Sequence, residues 1–146
     1  MLSNKVKKYL SDKGWWDDAI YPEYLNALVG LNVDLESDFA QFYLHAEDGP
    51  TFHSRHREIY QICWFIINSN YDSEIKFTHK LLRCSNEEYI PLDSFEGEYG
   101  YFYNRKTGEV LEVGLGQEML DFYEGKFKPQ WKDFNSFLEW YFELTD

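Results

Sequence analysis

The segment from Phe134 to Leu144 constrains the fold more than any other stretch. At about 100° per residue, Phe134, Phe137, Leu138, Trp140, Tyr141, Phe142 and Leu144 sweep an arc of about 200°, and Asn135, Ser136, Glu139 and Glu143 fill the rest. An apolar arc that wide must pack on more than one neighbour. The chain has the material for those walls, with 12 Phe, 12 Tyr and 5 Trp among 146 residues. That much ring surface offsets the entropy of ordering and excludes an intrinsically disordered chain. A chain of this length forms about one domain and buries roughly 70% of its unfolded surface.

Val6, Tyr9 and Leu10 fall at helical spacing and predict a short first helix ending at Gly14. Pro22 suits the first turn of a second helix carrying Tyr24, Leu25, Leu28 and Val29, which Gly30 would stop. Asp34 is the expected N-cap of a third helix with Leu35, Phe39, Phe42, Tyr43 and Ala46 in one stripe, and Glu36 and Asp38 near its positive end. Glu47-Asp48-Gly49-Pro50 breaks the pattern, and the segment through Arg57 reads as a polar loop. Residues 58–69 are rich in isoleucine, as a buried strand would be, but Gln61 and Asn68 would share one helical face, which favours a helix. Glu74 to Arg83 fits either element.

The second half is β-like. Tyr89-Ile90-Pro91-Leu92 predicts a short strand in which Pro91 favours an edge or a bulge. Tyr99 to Tyr103 and Glu109 to Val113 predict a hairpin, with Gly108 left-handed in its loop. Helices, a meander of strands and a final helix make a single α+β domain over residues 1–146.

The 26 acids against 14 bases leave a formal charge of −12, spread over both halves of the sequence. That disfavours long contact with nucleic acid or an anionic membrane, so the expected partner is basic. Met1 to Trp16 carries lysines but no apolar core of a signal peptide, and Ile59 to Ile67 is too short to span a bilayer. Cys63 and Cys84 lack metal or redox spacing and read as reduced core residues. The expectation is a cytoplasmic protein.

Chemical motifs are sparse. Gly114-Leu115-Gly116 follows a strand and precedes a predicted helix at Gln117–Tyr123, but it lacks the third glycine of a dinucleotide loop and reads as a turn. His53 and His56 lie between charged neighbours, where a solvated loop is the better reading than a metal site. No serine or cysteine has a recognisable base partner. On a strand, Glu96 and Glu98 would share one face about 6.5–7 Å apart, near the separation of an inverting glycosidase, with Tyr99, Tyr101 and Tyr103 continuing that face. A charged turn before a hairpin explains the same residues without catalysis. No enzyme, cofactor or metal is expected.

What remains is a set of acidic pairs at predicted turns, interleaved with aromatic residues. Charge and expected exposure nominate Asp17, Asp18, Glu47, Asp48, Glu87, Glu88, Glu96, Glu98, Tyr99 and Tyr101 as partner-binding residues. Such a surface speeds encounter with a basic protein and supplies rings as anchors.

Four segments in order resemble a known family. Val33 to Tyr43, ending near Gly49, is similar to the early helix of the SUKH superfamily of bacterial immunity proteins and fungal cell-wall synthesis regulators. Tyr89-Ile90-Pro91-Leu92 resembles its Ile-Pro-Leu strand, Gly97 to Asn104 with Thr107 to Val110 its hairpin, and Asp133 to Leu138 its terminal helix. The likeness runs from about residue 31 to 144; Glu36 replaces the family's usual proline, and residues 58–84 depart from its pattern. The resemblance implies a central, mainly antiparallel sheet flanked by helices, and stoichiometric neutralisation of a cognate toxin, often a basic nuclease. It brings no catalytic residues, and the family's contact positions vary. The alternatives are a regulatory scaffold, or a small carbohydrate-active enzyme using Glu96 and Glu98.

Overall fold

Residue by residue, the computed structural model describes positions 1–83, 88–95 and 98–144. Along the chain run α1 (Asn4–Lys13), α2 (Pro22–Gly30), α3 (Asp38–His45), β1 (Thr51–Ser54), β2 (Arg57–Tyr60), α4 (Ile62–Asn68), α5 (Tyr71–Leu82), β3 (Tyr89–Pro91), β4 (Tyr99–Asn104), β5 (Val110–Gly114), α6 (Gln117–Tyr123) and α7 (Phe134–Tyr141). The fold class is α+β, and every pairing between these strands is antiparallel. The strands divide between a two-stranded sheet, β1-β2, and a three-stranded sheet ordered β3-β4-β5. Contacts group the chain into two compact units, Met1–Ser69 with Asn135–Asp146, and Asn70–Phe134.

In the first unit the helix ends follow local chemistry. Ser3 caps α1 by accepting from the Val6 N–H, and Gly14, at φ 77°, closes it in the left-handed conformation. Pro22 opens α2 as expected, but α3 starts later than Asp34 suggests. The Asp34 carboxylate takes the Glu36 N–H at 2.9 Å and so closes its own turn, and Ser37 caps the helix through the Ala40 N–H at 3.1 Å. The stretch before Arg57, expected as loop, is the β1-β2 hairpin. Its turn residues Arg55 and His56 have φ of 54° and 59°, a two-residue left-handed turn made without glycine. Residues in α7 hold it: the Tyr141 hydroxyl is shared between the carbonyls of Arg57 at 2.7 Å and Phe52 at 3.0 Å. Arg55 Nε donates to the Trp140 carbonyl at 2.7 Å, and its guanidinium lies 4.2 Å from the Trp140 ring.

Residues 58–69 are both elements in succession, and Gln61 is where they change. Its side chain is fully buried. Nε2 donates to the carbonyls of Tyr43 at 3.0 Å and Ala46 at 2.7 Å, at the C-terminal end of α3. Oε1 accepts from the N–H groups of Cys63 at 2.8 Å and Trp64 at 3.4 Å, at the start of α4. One amide therefore serves orphan groups at the end of one helix and the start of the next, and the four partners fix which end is oxygen. In the same unit, Tyr9, Trp15, Phe42 and Phe52 pack on Phe142, with ring centroids 4.9 to 6.4 Å apart. Each well-placed pair contributes about 0.5–1.5 kcal/mol beyond its buried area.

In the second unit β4 is the middle strand and is covered on both faces. One side carries Phe102, packed with Leu82, Leu111, Val113 and Met119. On the other, Tyr101 meets Trp131 edge-on at 6.1 Å and Tyr103 meets Phe134 at 5.7 Å. Pro91 sits on the edge strand, where a missing N–H is tolerated, and its carbonyl accepts from the Tyr71 hydroxyl at 2.5 Å. Gly100 lies directly beneath the Phe95 ring, so a Cβ there would strike it.

Replacing Gln61 with Leu keeps the volume but strands two carbonyls and two N–H groups. We expect a stability loss of about 2–4 kcal/mol, read as a lower urea midpoint with unchanged m. A midpoint within error of the parent protein would refute the capping role.

Candidate binding cleft

Once Gly14 has turned the chain out of α1, Trp15 to Asp17 runs back along the end of α3. Asp17 N–H donates to the His45 carbonyl and Glu47 N–H to the Trp15 carbonyl, both at 2.9 Å, and Trp16 pairs with Ala46 as an antiparallel bridge. This pairing sets two acidic side chains, Asp17 and Glu47, around a cleft of about 270 Å³. Its lining includes Trp16, Tyr21, Tyr24 and His45. The His45 ring stacks on Trp16 at 4.7 Å and 23°. His45 Nδ1 lies 2.7 Å from the Asp17 carbonyl, an acceptor only, so Nδ1 carries the proton and donates.

Both carboxylates are held by phenols from α2 and the residue before it. Tyr21 donates to Asp17 Oδ2 at 2.5 Å, and the Ala19 N–H donates to its Oδ1 at 2.9 Å. These donors favour the ionised form and hold Asp17 below the usual aspartate range, with the Tyr21 phenol as the larger cause. Tyr24 donates to Glu47 Oε1. Burial first, then the Glu47 carboxylate, push the Tyr24 phenol up. The Cys63 thiol, 3.6 Å from the Tyr24 carbonyl, is pushed up to about 12, chiefly by burial. It is a protonated packing group at neutral pH, without thiolate reactivity.

Four of the ten sequence-nominated residues gather at this end of the first unit. Asp17 and Glu47 line the cleft; Asp18 is exposed beside it and accepts from Trp16 Nε1 at 2.8 Å, and Asp48 is exposed on the following turn. The others that the structure describes lie in the second unit. Glu88 is half-buried ahead of β3, and Glu98 is exposed with a left-handed φ of 77°. Tyr99 is 48% exposed, its ring against Gly114. Tyr101 corrects the expectation of a surface ring: it is 1% exposed, because Trp131 closes the second face of β4. Glu87 and Glu96 lie outside the described residues, as does Cys84.

The cleft's rings were missed in the sequence. Tyr21 stands four residues from Asp17, a spacing that invites pairing, but Tyr24 reaches Glu47 across 23 positions, a contact no local pattern announces. Elsewhere, His53 and Glu58 pair across the exposed hairpin at 3.0 Å, and no group of three metal-ligating side chains converges among the described residues. At the glycine pair before α6, the Gly114 N–H is taken by the Glu118 carboxylate at 2.8 Å. No helix among the described residues is long and apolar enough to cross a membrane. No protein-family model matches this chain, and no curated protein or solved structure matches it.

An NMR titration of the Asp17 carboxyl is expected to give a midpoint below the usual aspartate value. Tyr21→Phe should move it upward, since the larger of the two stabilising donors is removed. Because the folded value is the lower one, the associated stability is fully present above the unfolded aspartate value and is lost as pH falls through the folded one. A Tyr21→Phe titration that superimposes on that of the parent would contradict the assignment.

Proposed function

We propose that this protein is a stoichiometric inhibitor that binds a basic protein, and that its partner is a cognate bacterial toxin, probed first as a nuclease-type domain. The carrying observation is the collection of Asp17, Asp18, Glu47 and Asp48 at one ring-lined end of the first unit. That unit contributes 13 acids and 6 bases, a formal −7 of the chain's −12. A field of that sign accelerates encounter with a cationic surface, such as a nuclease must present to phosphates. Trp16 and the two tyrosines add large, rigid groups of the kind that dominate interface energies. The resemblance to immunity proteins of the SUKH superfamily supports the same reading, which places the encounter in the cytoplasm and requires no turnover.

The test is to look beside this protein's gene for a large open reading frame ending in a compact toxin-like domain, and to co-express that domain with and without this protein, followed by size exclusion of the pair. Growth rescue with an equimolar complex is the expected result. Asp18→Asn and Asp48→Asn should slow association and flatten its salt dependence, whereas Trp16→Ala should raise the dissociation rate by roughly tenfold or more. Rescue without a complex would sink direct inhibition and favour catalytic protection. Absence of both rescue and complex would sink the toxin partner.

A further inference from the structure

The cleft between the end of α1 and the end of α3 has a more specific chemistry than negative charge. Its cavity of about 270 Å³ is concave and partly walled by rings, with a carboxylate on each of two converging segments. Asp17 is already served at both oxygens, whereas Glu47 has one oxygen engaged by Tyr24 and its other oxygen with no donor among the described residues. The Trp16 ring already attracts a cation of the chain itself, since the Lys7 ammonium stands 5.0 Å from its centroid. A ligand that suits such a place is cationic, planar, rich in N–H donors and carried on an apolar stem.

We infer that the cleft is an arginine pocket, taking one guanidinium from the basic partner, with Glu47 and Asp17 accepting its N–H groups and the Tyr21 and Tyr24 rings flanking its stem. Arginine suits it better than lysine. A guanidinium is weakly hydrated, stacks on rings and meets a carboxylate with two parallel donors, whereas an ammonium is a compact, strongly hydrated point charge. The inference rests on the reading above in assigning that arginine to a protein partner, but the pocket itself is testable on this protein alone.

The full chain, labelled with nitrogen-15, would be titrated with N-acetyl-arginine amide, N-acetyl-lysine amide and N-acetyl-norleucine amide. The expected result is saturable shifts of the Trp16 indole and of the Asp17 and Glu47 amides, with millimolar affinity for the arginine compound. Lysine amide should bind roughly fivefold more weakly, and norleucine amide should give no saturation. Glu47→Gln should weaken arginine binding by roughly fivefold to tenfold, the loss of one charge-assisted pair. Tyr24→Phe, which keeps both charges and frees the other Glu47 oxygen, should bind at least as tightly. The inference is overturned by no saturable shift into the tens of millimolar, by equal binding of norleucine amide, or by unchanged affinity in a folded Glu47→Gln protein. Should Glu47→Gln fail to fold, weaker binding by folded Tyr24→Phe overturns it equally. Arginine binding without a toxin complex would keep the pocket and remove the toxin; a toxin complex without arginine binding would do the reverse.

Discussion

A single buried amide organises the first unit. Gln61 lies where the β1-β2 hairpin hands over to α4, and its side chain serves carbonyls at one end of α3 and N–H groups at the start of α4. Burying that many polar groups is unfavourable unless each finds a partner, and here one side chain answers four of them. The end of α3 is thereby held in place, and the end of α3 is also the strip against which Trp15 to Asp17 pairs. The cleft thus inherits its shape from a residue that does not line it.

Charge and core divide the labour within that unit. The rings inside are packed at tilted and edge-on angles around Phe142 and Phe52, while acids stand outside on exposed turns, where water screens their mutual repulsion. At the cleft the two populations meet. Tyr21 and Tyr24 each present a hydroxyl to a carboxylate, so the acids are oriented by phenols and not by bases. An acid oriented in this way keeps its negative charge available to an incoming cation, which a salt bridge within the chain would have neutralised.

Legibility in the sequence followed the range of the interactions. Where a residue acts on its immediate neighbours the reading succeeds: Gly14 ends α1, Pro22 opens α2, Gln117–Tyr123 is a helix, and α7 buries Phe134, Phe137, Leu138 and Tyr141, although it closes at Tyr141 and not at Leu144, with Glu143 left-handed at φ 59° just beyond it. It goes astray where a distant partner decides. The Arg55-His56 turn has no glycine to mark it and is held by α7, about 85 positions later. Tyr101 looks like the outward member of an alternating strand until Trp131 closes over it. Of the candidate site, the acids were visible as pairs at turns, but their assembly with Trp16, Tyr24 and His45 depends on the pairing of Trp16 with Ala46, 30 positions apart.

The first unit is discontinuous, with its last wall arriving after the entire second unit in the order of the chain. During synthesis, a polypeptide that has emerged only as far as Phe134 has α1 to α4 but lacks Phe137, Leu138, Tyr141 and Phe142, all of them buried in the finished protein. Domains generally acquire structure as their segments leave the ribosome, and an interrupted one must wait. The hairpin turn at Arg55 and His56 waits too, because its anchors are Trp140 and Tyr141. The acid-and-ring face is therefore a late product of translation, completed only after the whole second unit has been made.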